Sequence, residues 1–456
     1  MIHIGGIQRP ERLIMTQRPG HPSPRALFVV VLAAATLVVT ACSSSTAGPS
    51  STSAAGSSVP ASAAAVSSTA ASSAGTSSAG SGSVAPASGE PAYVAALQPQ
   101  LDQLMKDLSI TGAGVLIRSP EGDWSTTMGT RTWHGTDPVT IADHIRIGSN
   151  TKPMTGTVIL QLVDEGKISL DDPVSKYRPD IPNGDNITIT QLLNMSSGLG
   201  NYTLDPYLNE QMDNNPGRAW TPDELLAMGY AQPVQFAPGQ GYYYSNTNTV
   251  LLGAIIEQLT GMPVAEAFQQ RIFDPLGLTE TSFPAITDAA VPDPHPTFYT
   301  WGTNVGTIDS TVMSPEVQAA ALDGSREPID TTDLNPSWGW TAGAAISTAE
   351  DLADFVEALA GGGLLSPELQ AKRMTDFNPT KPDDPTNDTS YGLGIGRIGS
   401  KYGHIGEVPG TNSYMFYDPD QKITVITWTS TAPAPNGKPP AVALGDAAYA
   451  AVTGAG

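Results

Sequence analysis

The sequence predicts an α/β fold of the α+β kind. An antiparallel sheet is flanked by N- and C-terminal helices, and a mostly helical subdomain is inserted between them. Two observations support this prediction: both ends of the folded region show a helix pattern beside paired strand patterns, whereas residues 152–369 show mainly helix patterns and loops. Because the two ends supply the strands, the economical arrangement is one α/β unit that carries the helical segment as an insertion. A ligand cleft is expected where the two parts meet.

The N-terminal part of this unit begins with an amphipathic helix over residues 93–108. Its apolar residues recur at helical spacing, at Leu97, Leu101, Leu104, Met105 and Leu108. A short apolar strand over residues 114–118 follows. Turn residues at 119–123 then lead into a returning strand over residues 124–128.

The C-terminal part repeats this pattern in the reverse order. Strands over residues 413–417 and 423–429 flank the turn Asp418-Pro419-Asp420, and a helix of small residues over 440–452 follows. Between the two parts, helix patterns cover residues 153–165, 222–230, 247–260, 264–272 and 348–359.

The first 90 residues are not expected to belong to the fold. Arg25 is followed by an apolar run over residues 26–39 and by small residues before Cys42, so residues 1–42 resemble a bacterial lipoprotein signal peptide with a lipobox. A signal peptide that is cleaved elsewhere and leaves Cys42 idle is the alternative. Residues 43–90 are almost entirely Ser, Ala, Gly, Thr and Pro, which predicts a disordered tether. Residues 91–456 are then the folded domain, held by the Cys42 lipid on the outer face of the cytoplasmic membrane.

Charge and cysteine content exclude several classes of function. The chain has 22 basic and 44 acidic residues, a net charge of −22, whereas binding to nucleic acid or to anionic lipid needs a basic surface. Its single cysteine, Cys42, excludes an internal disulfide and a Cys-based metal site. No His-Glu-x-x-His motif and no phosphate-binding Gly loop are present. We therefore expect no metal, no cofactor and no nucleic-acid partner, and we expect a monomer.

The first motif that carries chemistry is Ser149-Asn150-Thr151-Lys152. On a helix, this spacing brings the hydroxyl of Ser149 and the amine of Lys152 onto one face. The apolar segment over residues 154–163 predicts that this helix is buried, and burial lowers the pKa of a lysine and makes it a candidate base. Taken alone, the motif is explained more simply by a surface lysine beside a helix-capping serine.

Two further motifs add polar side chains. Tyr244-Ser245-Asn246 lies in a predicted loop, from which Tyr244 and Asn246 can point into a cleft. His404-Ile405-Gly406 precedes the C-terminal strands, and a glycine in an edge strand lets a substrate backbone approach closely. His404 would supply a proton donor or acceptor at that edge. Each motif alone also fits an ordinary structural role.

In their order along the chain, the three motifs resemble those of the serine β-lactamase and penicillin-binding D,D-peptidase superfamily. Flanking segments strengthen the resemblance, at residues 146–152, 162–173, 190–199, 236–239, 342–352 and 391–394. It covers roughly residues 92 to 430. It is strongest for secreted D-alanyl-D-alanine carboxypeptidases, and the chain is also similar to class C β-lactamases and related esterases. The fold implied is the β-lactamase/transpeptidase fold.

The resemblance implies a role for each motif residue. Ser149 is acylated and the acyl-enzyme is hydrolysed, while Lys152 and Tyr244 share the proton transfers. Asn246 holds the substrate amide, and His404 takes the place of the lysine in the third motif.

The resemblance also implies how the substrate is held. Backbone N–H groups of Ser149 and Glu407 would form the oxyanion hole, Gly406 would leave room for the substrate, and Trp338 would line the pocket.

Two positions depart from the carboxypeptidase pattern, which has hydroxyl residues beside the third-motif glycine to bind the substrate carboxylate. Ile405 cannot donate a hydrogen bond, and a Glu407 side chain that pointed inward would repel a carboxylate. An arginine often assists after the Tyr-Gly-Leu-Gly segment, and Arg397 is the nearest candidate.

Three hypotheses follow. The first is a carboxypeptidase-like enzyme that cleaves acyl-D-Ala-D-Ala peptides and reacts with penicillin. The second is an esterase or β-lactamase that uses the same residues. The third is a non-catalytic binding lipoprotein of the cell envelope.

Overall fold

The computed structural model describes residues 89–454. The predicted signal peptide with Cys42, and the predicted tether up to residue 88, lie outside the described residues.

The described chain contains a main sheet and two short strand pairs. The strands are β1 (Gly112–Arg118), β2 (Trp124–Gly129), β3 (Ile145–Arg146), β4 (Tyr299–Thr300), β5 (Ile329–Asp330), β6 (Ile346–Ser347), β7 (Asn378–Pro379), β8 (Thr389–Tyr391), β9 (Gly396–Ile398), β10 (Lys401–Val408), β11 (Thr411–Asp418) and β12 (Ile423–Thr429). The main sheet is antiparallel throughout, in the order β2–β1–β12–β11–β10–β9–β8–β7. Because β1 pairs directly with β12, the two ends of the fold are joined as the second and third strands of the sheet.

Helices precede, interrupt and follow the strands. They are α1 (Val94–Asp107), α2 (Thr151–Asp164), α3 (Ile189–Leu193), α4 (Pro206–Asn214), α5 (Pro222–Ala231), α6 (Asn246–Thr260), α7 (Val264–Phe268), α8 (Asp274–Leu276), α9 (Asn304–Thr307), α10 (Pro315–Leu322), α11 (Ala349–Gly361), α12 (Pro367–Thr375) and α13 (Pro440–Thr453). Helices α2 to α10 form the helical insertion. The predicted insertion, residues 152–369, also included α11, and this part of the prediction is wrong because the apolar side chains of α11 pack directly on the sheet.

The sheet is covered on both faces. On one face, Leu97 and Leu101 of α1 and Leu444 of α13 belong to the same buried cluster as Val115 and Tyr414 of the sheet. On the other face, α11 and the helical insertion bury the alternate side chains, among them Met415 and Ile426. This arrangement confirms the predicted sheet, its flanking terminal helices and the inserted helical part. The complete burial of β12 follows from it, because a strand covered on both faces has no solvent side.

The sequence did not predict β7, β8 and β9, which continue the sheet beyond β10. Each has only two or three residues, too few to show the alternation of apolar and polar residues that identifies a strand.

Within residues 89–454 no single helix has both the length and the apolar composition to cross a membrane. Two consecutive segments, Asn246–Thr260 and Val264–Leu276, together have that length and composition, but the chain bends by 83° between them.

The segment before α2 is fixed to the sheet by three side-chain hydrogen bonds. Thr411 Oγ1 donates to the Arg146 carbonyl at 2.8 Å, and Ser413 Oγ donates to the Ile147 carbonyl at 3.0 Å. Asn150 Nδ2 in turn donates to Ser413 Oγ at 2.8 Å. The start of α2 is thereby held beside β10 and β11.

Candidate active site

Ser149 lies at the junction of the helical insertion and the sheet. It is the middle residue of a short 3₁₀ helix, Gly148–Asn150, that leads directly into α2. Gly148 has a φ of +54°, a conformation that favours glycine. The serine is half-buried, whereas Asn150 behind it is fully buried. The chain therefore turns sharply and presents the Ser149 hydroxyl at the opening between the two parts of the fold.

Lys152 is buried, and its amine has three oxygen partners. Its Nζ lies 2.9 Å from Ser149 Oγ, 2.7 Å from Asn246 Oδ1 and 2.7 Å from the Ala342 carbonyl oxygen. Desolvation lowers the pKa of this amine well below its usual value. No carboxylate is among these partners, so no opposite charge offsets the cost of burying the charged form.

The three partners match the hydrogen-bonding capacity of a neutral amine. The Ala342 carbonyl and Asn246 Oδ1 can only accept, so they take the two N–H groups of the uncharged form. The charged amine donates its third N–H to Ser149 Oγ, whereas in the uncharged form the lone pair faces Ser149 Oγ and can accept from its hydroxyl. This geometry equips Lys152 to remove the proton of Ser149.

Tyr244 approaches the same serine from a second direction. Its ring centroid lies 4.9 Å from Lys152 Nζ, and its hydroxyl lies close to the Ser149 side chain. Desolvation raises the pKa of the phenol, while it lowers that of the amine. At neutral pH, Tyr244 therefore keeps its proton and can pass it on, whereas Lys152 is the better base.

Asn246 is the first residue of α6, and its amide is oriented by the loop opposite. Its Oδ1 accepts from Lys152, while its Nδ2 is directed at Asn201 Oδ1 and Thr203 Oγ1, at 3.3 and 3.4 Å. Its backbone N–H also donates to Asn201 Oδ1, at 3.1 Å. The two long side-chain contacts leave Nδ2 available to a substrate carbonyl. Sequence reasoning missed Asn201, although it lies two residues beyond the segment 190–199 that strengthened the resemblance.

His404 lies behind Tyr244 rather than at the serine. Its Nδ1 is 2.6 Å from the Ile405 carbonyl, which can only accept, so Nδ1 carries the hydrogen. Desolvation, with a smaller contribution from Lys152, lowers the pKa of His404 to about 3, so the ring is neutral and Nε2 is an acceptor. The Tyr391 hydroxyl lies 3.1 Å from Nε2 and donates to it. Both ring nitrogens are thus occupied by the protein.

His404 is one of three neighbouring rings. The centroid of Tyr244 lies 6.1 Å from those of His404 and Tyr391, and His404 and Tyr391 are 5.5 Å apart. Sequence reasoning gave Tyr391 no role, although it opens the Tyr-Gly-Leu-Gly segment that carried part of the resemblance. Its contacts assign it to the support of His404 and Tyr244.

Two glycines allow the serine segment to touch β10. A Cβ on Gly406 would lie 1.9 Å from the Ile147 carbonyl oxygen, and a Cβ on Gly148 would lie 2.6 Å from the Glu407 backbone nitrogen. Backbone contact at this point therefore requires glycine on both sides.

The free edge of β10 faces the serine. A two-residue turn follows Val408, so Val408 and Thr411 form a hydrogen-bonded pair. In an antiparallel ladder hydrogen-bonded and non-hydrogen-bonded pairs alternate, so Glu407 and Asn412 form a non-hydrogen-bonded pair. The Glu407 N–H therefore points away from β11. That N–H is the predicted partner of the Ser149 N–H in the oxyanion hole, and this role stays a prediction.

Ile405 and Glu407 share a face of β10, and their side chains differ in exposure. Ile405 packs against the cluster formed by α1, α13 and Tyr414. Glu407 is exposed, yet desolvation raises the pKa of its carboxyl to about 7.

The remaining predicted site residues lie at the margin. Trp338 is half-buried and lines a small cavity together with Gly343, Val408 and Pro409, beside the serine segment. Arg397 lies on β9, where its Nε donates to the Gly399 carbonyl at 2.8 Å and its guanidinium stacks near the rings of Phe377 and Tyr402. The structure therefore gathers Ser149, Lys152, Tyr244 and Asn246, with Gly406 and Glu407 alongside, and gives Arg397 separate contacts.

A lysine and a tyrosine that converge on one serine hydroxyl are the arrangement of a serine hydrolase whose base is an amine. Comparison with known families agrees with this class. The profile of the family described as Beta-lactamase matches residues 97–449, and the chain belongs to this family of serine hydrolases.

Individual relatives carry several different activities in their names. The chain is 27% identical to esterase EstB of Burkholderia gladioli over 78% of this chain and 95% of that protein. It is 28% identical to a putative D-alanyl-D-alanine carboxypeptidase of Escherichia coli, over 64% of this chain and 70% of that protein. The crystal structure of a D-stereospecific amidohydrolase from Streptomyces matches with a TM-score of 0.64 and 30% identity, covering 78% of this chain and 98% of that one.

Proposed function

We propose that this protein hydrolyses small amide or ester substrates through a covalent acyl-enzyme on Ser149. The observation that carries this proposal is the contact of Lys152 Nζ with Ser149 Oγ at 2.9 Å, made by a buried amine whose other partners are acceptors only. The named activities of the relatives support the same chemistry, because esterase, carboxypeptidase and amidohydrolase all cleave an acyl bond.

In the proposed hydrolysis, each of these residues performs one step. Lys152 takes the proton from Ser149, and Oγ forms a bond to the carbonyl carbon while the carbonyl oxygen becomes negative. The N–H groups of Ser149 and Glu407 hold that oxygen. Tyr244, beside Ser149, delivers a proton to the leaving nitrogen or oxygen as its bond to the carbonyl carbon breaks, and the charged Lys152 returns its extra proton to Tyr244. Water then attacks the carbonyl carbon of the acyl-enzyme while Lys152 takes its proton. The bond between Oγ and that carbon breaks, Oγ receives the proton from Lys152, and the acid is released.

The surroundings of Glu407 favour substrates that lack a carboxylate next to the scissile bond. The backbone of Glu407 contacts the serine segment, its side chain is exposed, and the Arg397 Nε donates to the Gly399 carbonyl. A terminal carboxylate would therefore meet repulsion and no compensating cation. We propose an amidase or esterase as the first assignment.

The second candidate is a D-alanyl-D-alanine carboxypeptidase that reacts with penicillin. The relative of that name from Escherichia coli favours it, as does the order of the three motifs. A cell-wall peptide would then be the substrate.

One set of rates tests both candidates. The purified protein is assayed on p-nitrophenyl butyrate and on an acyl-D-Ala-D-Ala peptide, and it is labelled with a fluorescent penicillin. We expect ester turnover to exceed peptide turnover, and we expect Ser149→Ala to abolish turnover and labelling. Faster peptide cleavage favours the carboxypeptidase. If the wild-type protein neither labels nor turns over any ester or peptide, the hydrolase proposal is wrong, and the hypothesis of a non-catalytic binding lipoprotein is favoured.

We also propose that the protein is a lipoprotein anchored through Cys42 in the cell envelope. The apolar run and small residues before Cys42 and the Ser/Ala-rich segment after it support the anchor. Labelled palmitate fed to the producing cells should enter the wild-type protein and not Cys42→Ser. No incorporation in the wild type contradicts the anchor.

A further inference from the structure

The loop that carries Asn201 is bonded to the start of α6. The Gly200 carbonyl accepts from Ser245 Oγ at 2.8 Å and from Thr247 Oγ1 at 2.7 Å. Ser245 and Thr247 flank Asn246, the first residue of α6. Because the residue before Asn201 is tied to both neighbours of Asn246, the two asparagines are held opposite each other.

Two backbone N–H groups fix the orientation of the Asn201 amide. The Asn246 N–H donates to Asn201 Oδ1 at 3.1 Å, and the Thr203 N–H lies 3.5 Å from the same oxygen. A backbone N–H can only donate, so the atom of the amide that faces both groups must be its oxygen. Asn201 is only 7% exposed, so a flipped amide would leave these donors without a partner and with little water to replace it.

Asn201 in turn fixes the orientation of the Asn246 amide. Asn246 Nδ2 lies 3.3 Å from Asn201 Oδ1, and Asn246 Oδ1 lies 2.7 Å from Lys152 Nζ. A flipped Asn246 would place its oxygen against the oxygen of Asn201 and its amide N–H groups against those of Lys152. Because backbone groups hold the acceptor of Asn201 in place, Asn246 keeps its own oxygen directed at Lys152.

The Lys152 amine depends on this oxygen for one of its two acceptors. The other acceptor is the Ala342 carbonyl at 2.7 Å, which belongs to the backbone and cannot rotate as a side chain does. With both acceptors in place, the remaining direction of the amine is occupied by Ser149 Oγ at 2.9 Å. Loss of the Asn246 oxygen would therefore let the amine turn away from the serine.

Three titratable side chains lie around the amine. The Tyr244 ring centroid is 4.9 Å from Lys152 Nζ, His404 interacts with Lys152 electrostatically, and Tyr391 lines a small cavity together with Lys152. Desolvation raises the pKa of both phenols and lowers the pKa of His404 to about 3, so all three are uncharged at neutral pH. The titration of Lys152 can therefore be followed without a change of charge on these neighbours.

We propose that Asn201 is a positioning residue of the hydrolase: it holds the Asn246 amide so that the amine of Lys152 is directed at Ser149. The inference rests on the proposed function, because it takes Lys152 as the base that removes the proton of Ser149. It adds to that function a residue outside the three motifs, whose effect on the lysine passes through Asn246.

The test measures the protonation of Lys152 directly. The full chain is labelled with ¹³C in its lysine side chains, and the signal of Lys152 is identified by its loss in Lys152→Met. This signal is followed by NMR as a function of pH, and kcat on p-nitrophenyl butyrate is measured on the same variants.

The variants of Asn201 should shift the Lys152 titration in opposite directions. Asn201→Leu removes the acceptor, so the Asn246 amide can turn and the charged amine loses a partner; the midpoint should move to lower pH and kcat should fall about tenfold. Asn201→Asp keeps an acceptor and adds a negative charge, so the midpoint should move to higher pH by about one unit. In an Asn246→Ala protein, Asn201→Leu should cause no further shift, because its route to Lys152 is already removed.

Two other asparagines provide matched controls. Asn209 is 8% exposed and donates to the carbonyls of Thr203 and Asp205, both at 2.9 Å. Asn209→Leu therefore loosens the same loop but leaves the acceptor of Asn201 in place, so it should lower the stability in urea and keep the wild-type midpoint. Asn214→Asp adds a carboxylate at the exposed end of α4 and should leave the midpoint unchanged.

An unchanged Lys152 midpoint in Asn201→Leu overturns the proposal, as does a shift that persists in the Asn246→Ala protein or appears equally in Asn209→Leu. If Asn201→Leu does not fold, Asn201→Ala, which adds no bulk, takes its place. Turnover of the ester by the wild-type protein tests the proposed function separately. If the wild type turns over no ester but the midpoint responds to Asn201, the hydrolase is refuted and the positioning stands. Normal turnover with an unresponsive midpoint does the reverse.

Discussion

The two sides of the opening at Ser149 carry their charged groups in contrasting ways. On the helical side, Lys152 is buried, and oxygen atoms of Ser149, Asn246 and Ala342 occupy every direction in which its amine can bond. On the strand side, Glu407 is exposed and has no cationic partner within the described chain.

This contrast separates chemistry from recognition. A buried group with every bond made can act only on the atoms placed beside it, so Lys152 is committed to Ser149. An accessible group with an unmet charge stays free to respond to whatever enters. The helical side therefore carries the groups proposed for the reaction, whereas Glu407 on the strand side has no proposed chemical step.

Removing the lysine tests the helical side most severely. Lys152→Met keeps the length of the side chain and removes the base, so kcat on p-nitrophenyl butyrate should fall roughly 10²- to 10⁴-fold. Lys106→Met, at the exposed end of α1, removes a lysine outside the site and should leave kcat unchanged. A Lys152→Met protein that folds and retains wild-type kcat contradicts the role of the amine.

The pH dependence of the wild-type protein tests the same residue without a mutation. The base must be uncharged, so kcat/KM should rise with pH as Lys152 loses its proton. Because desolvation lowers the pKa of Lys152 well below its usual value, this rise should be complete well below a pH of about 10.5. A rise centred near 10.5 indicates an ordinary hydrated lysine and contradicts the assignment.

The join between the two sides can be broken at Gly406. In Gly406→Ala the new Cβ would lie 1.9 Å from the Ile147 carbonyl oxygen, so the serine segment must move away from β10. Overpacking of this kind costs about 1–3 kcal/mol of stability or more, and a displacement of about 1 Å can lower activity about 10²-fold. Both urea unfolding and ester turnover should report the change.

Gly217→Ala provides the comparison for this variant. A Cβ at Gly217 would meet no atom within 4 Å, so both measurements should match the wild type. Equal behaviour of Gly406→Ala and Gly217→Ala contradicts the close backbone contact.

The sequence predicted the parts of the site whose spacing along the chain is informative. Ser149 and Lys152 are one helical turn apart, so their meeting follows from local geometry. Tyr244 and Asn246 are 95 and 97 residues from Ser149, and only the order of the motifs connected them to it.

The contacts that complete the site could not be predicted in this way. The Ala342 carbonyl is a backbone group, and every residue has one, so no residue type signals its role. The orientation of Ile405 and Glu407 depends on the register set by the turn after Val408, and a shift of one residue would exchange the two faces. For the overall fold, the long strands and helices were predicted because their apolar patterns are long, whereas β7 to β9 were too short.

The smallest expected effect comes from the hydrogen bond between Tyr391 and His404, two residues whose rings lie next to that of Tyr244. Tyr391 donates to Nε2 of the neutral His404, and Tyr391→Phe leaves that buried acceptor without its partner, at a cost of about 1–3 kcal/mol in the free energy of unfolding. Tyr414 offers a matched control, because its buried hydroxyl has no hydrogen-bond partner within residues 89–454.

The two tyrosines should therefore respond differently to the same change. Tyr414→Phe removes a buried hydroxyl that makes no bond, so urea unfolding should show unchanged or increased stability. Tyr391→Phe should be less stable than the wild type, and Lys152 should retain its pH profile in this variant because Tyr391 does not bond to the amine. Equal stabilities of the two variants would mean that the Tyr391–His404 hydrogen bond contributes nothing, and that ring packing alone holds Tyr244 against the serine.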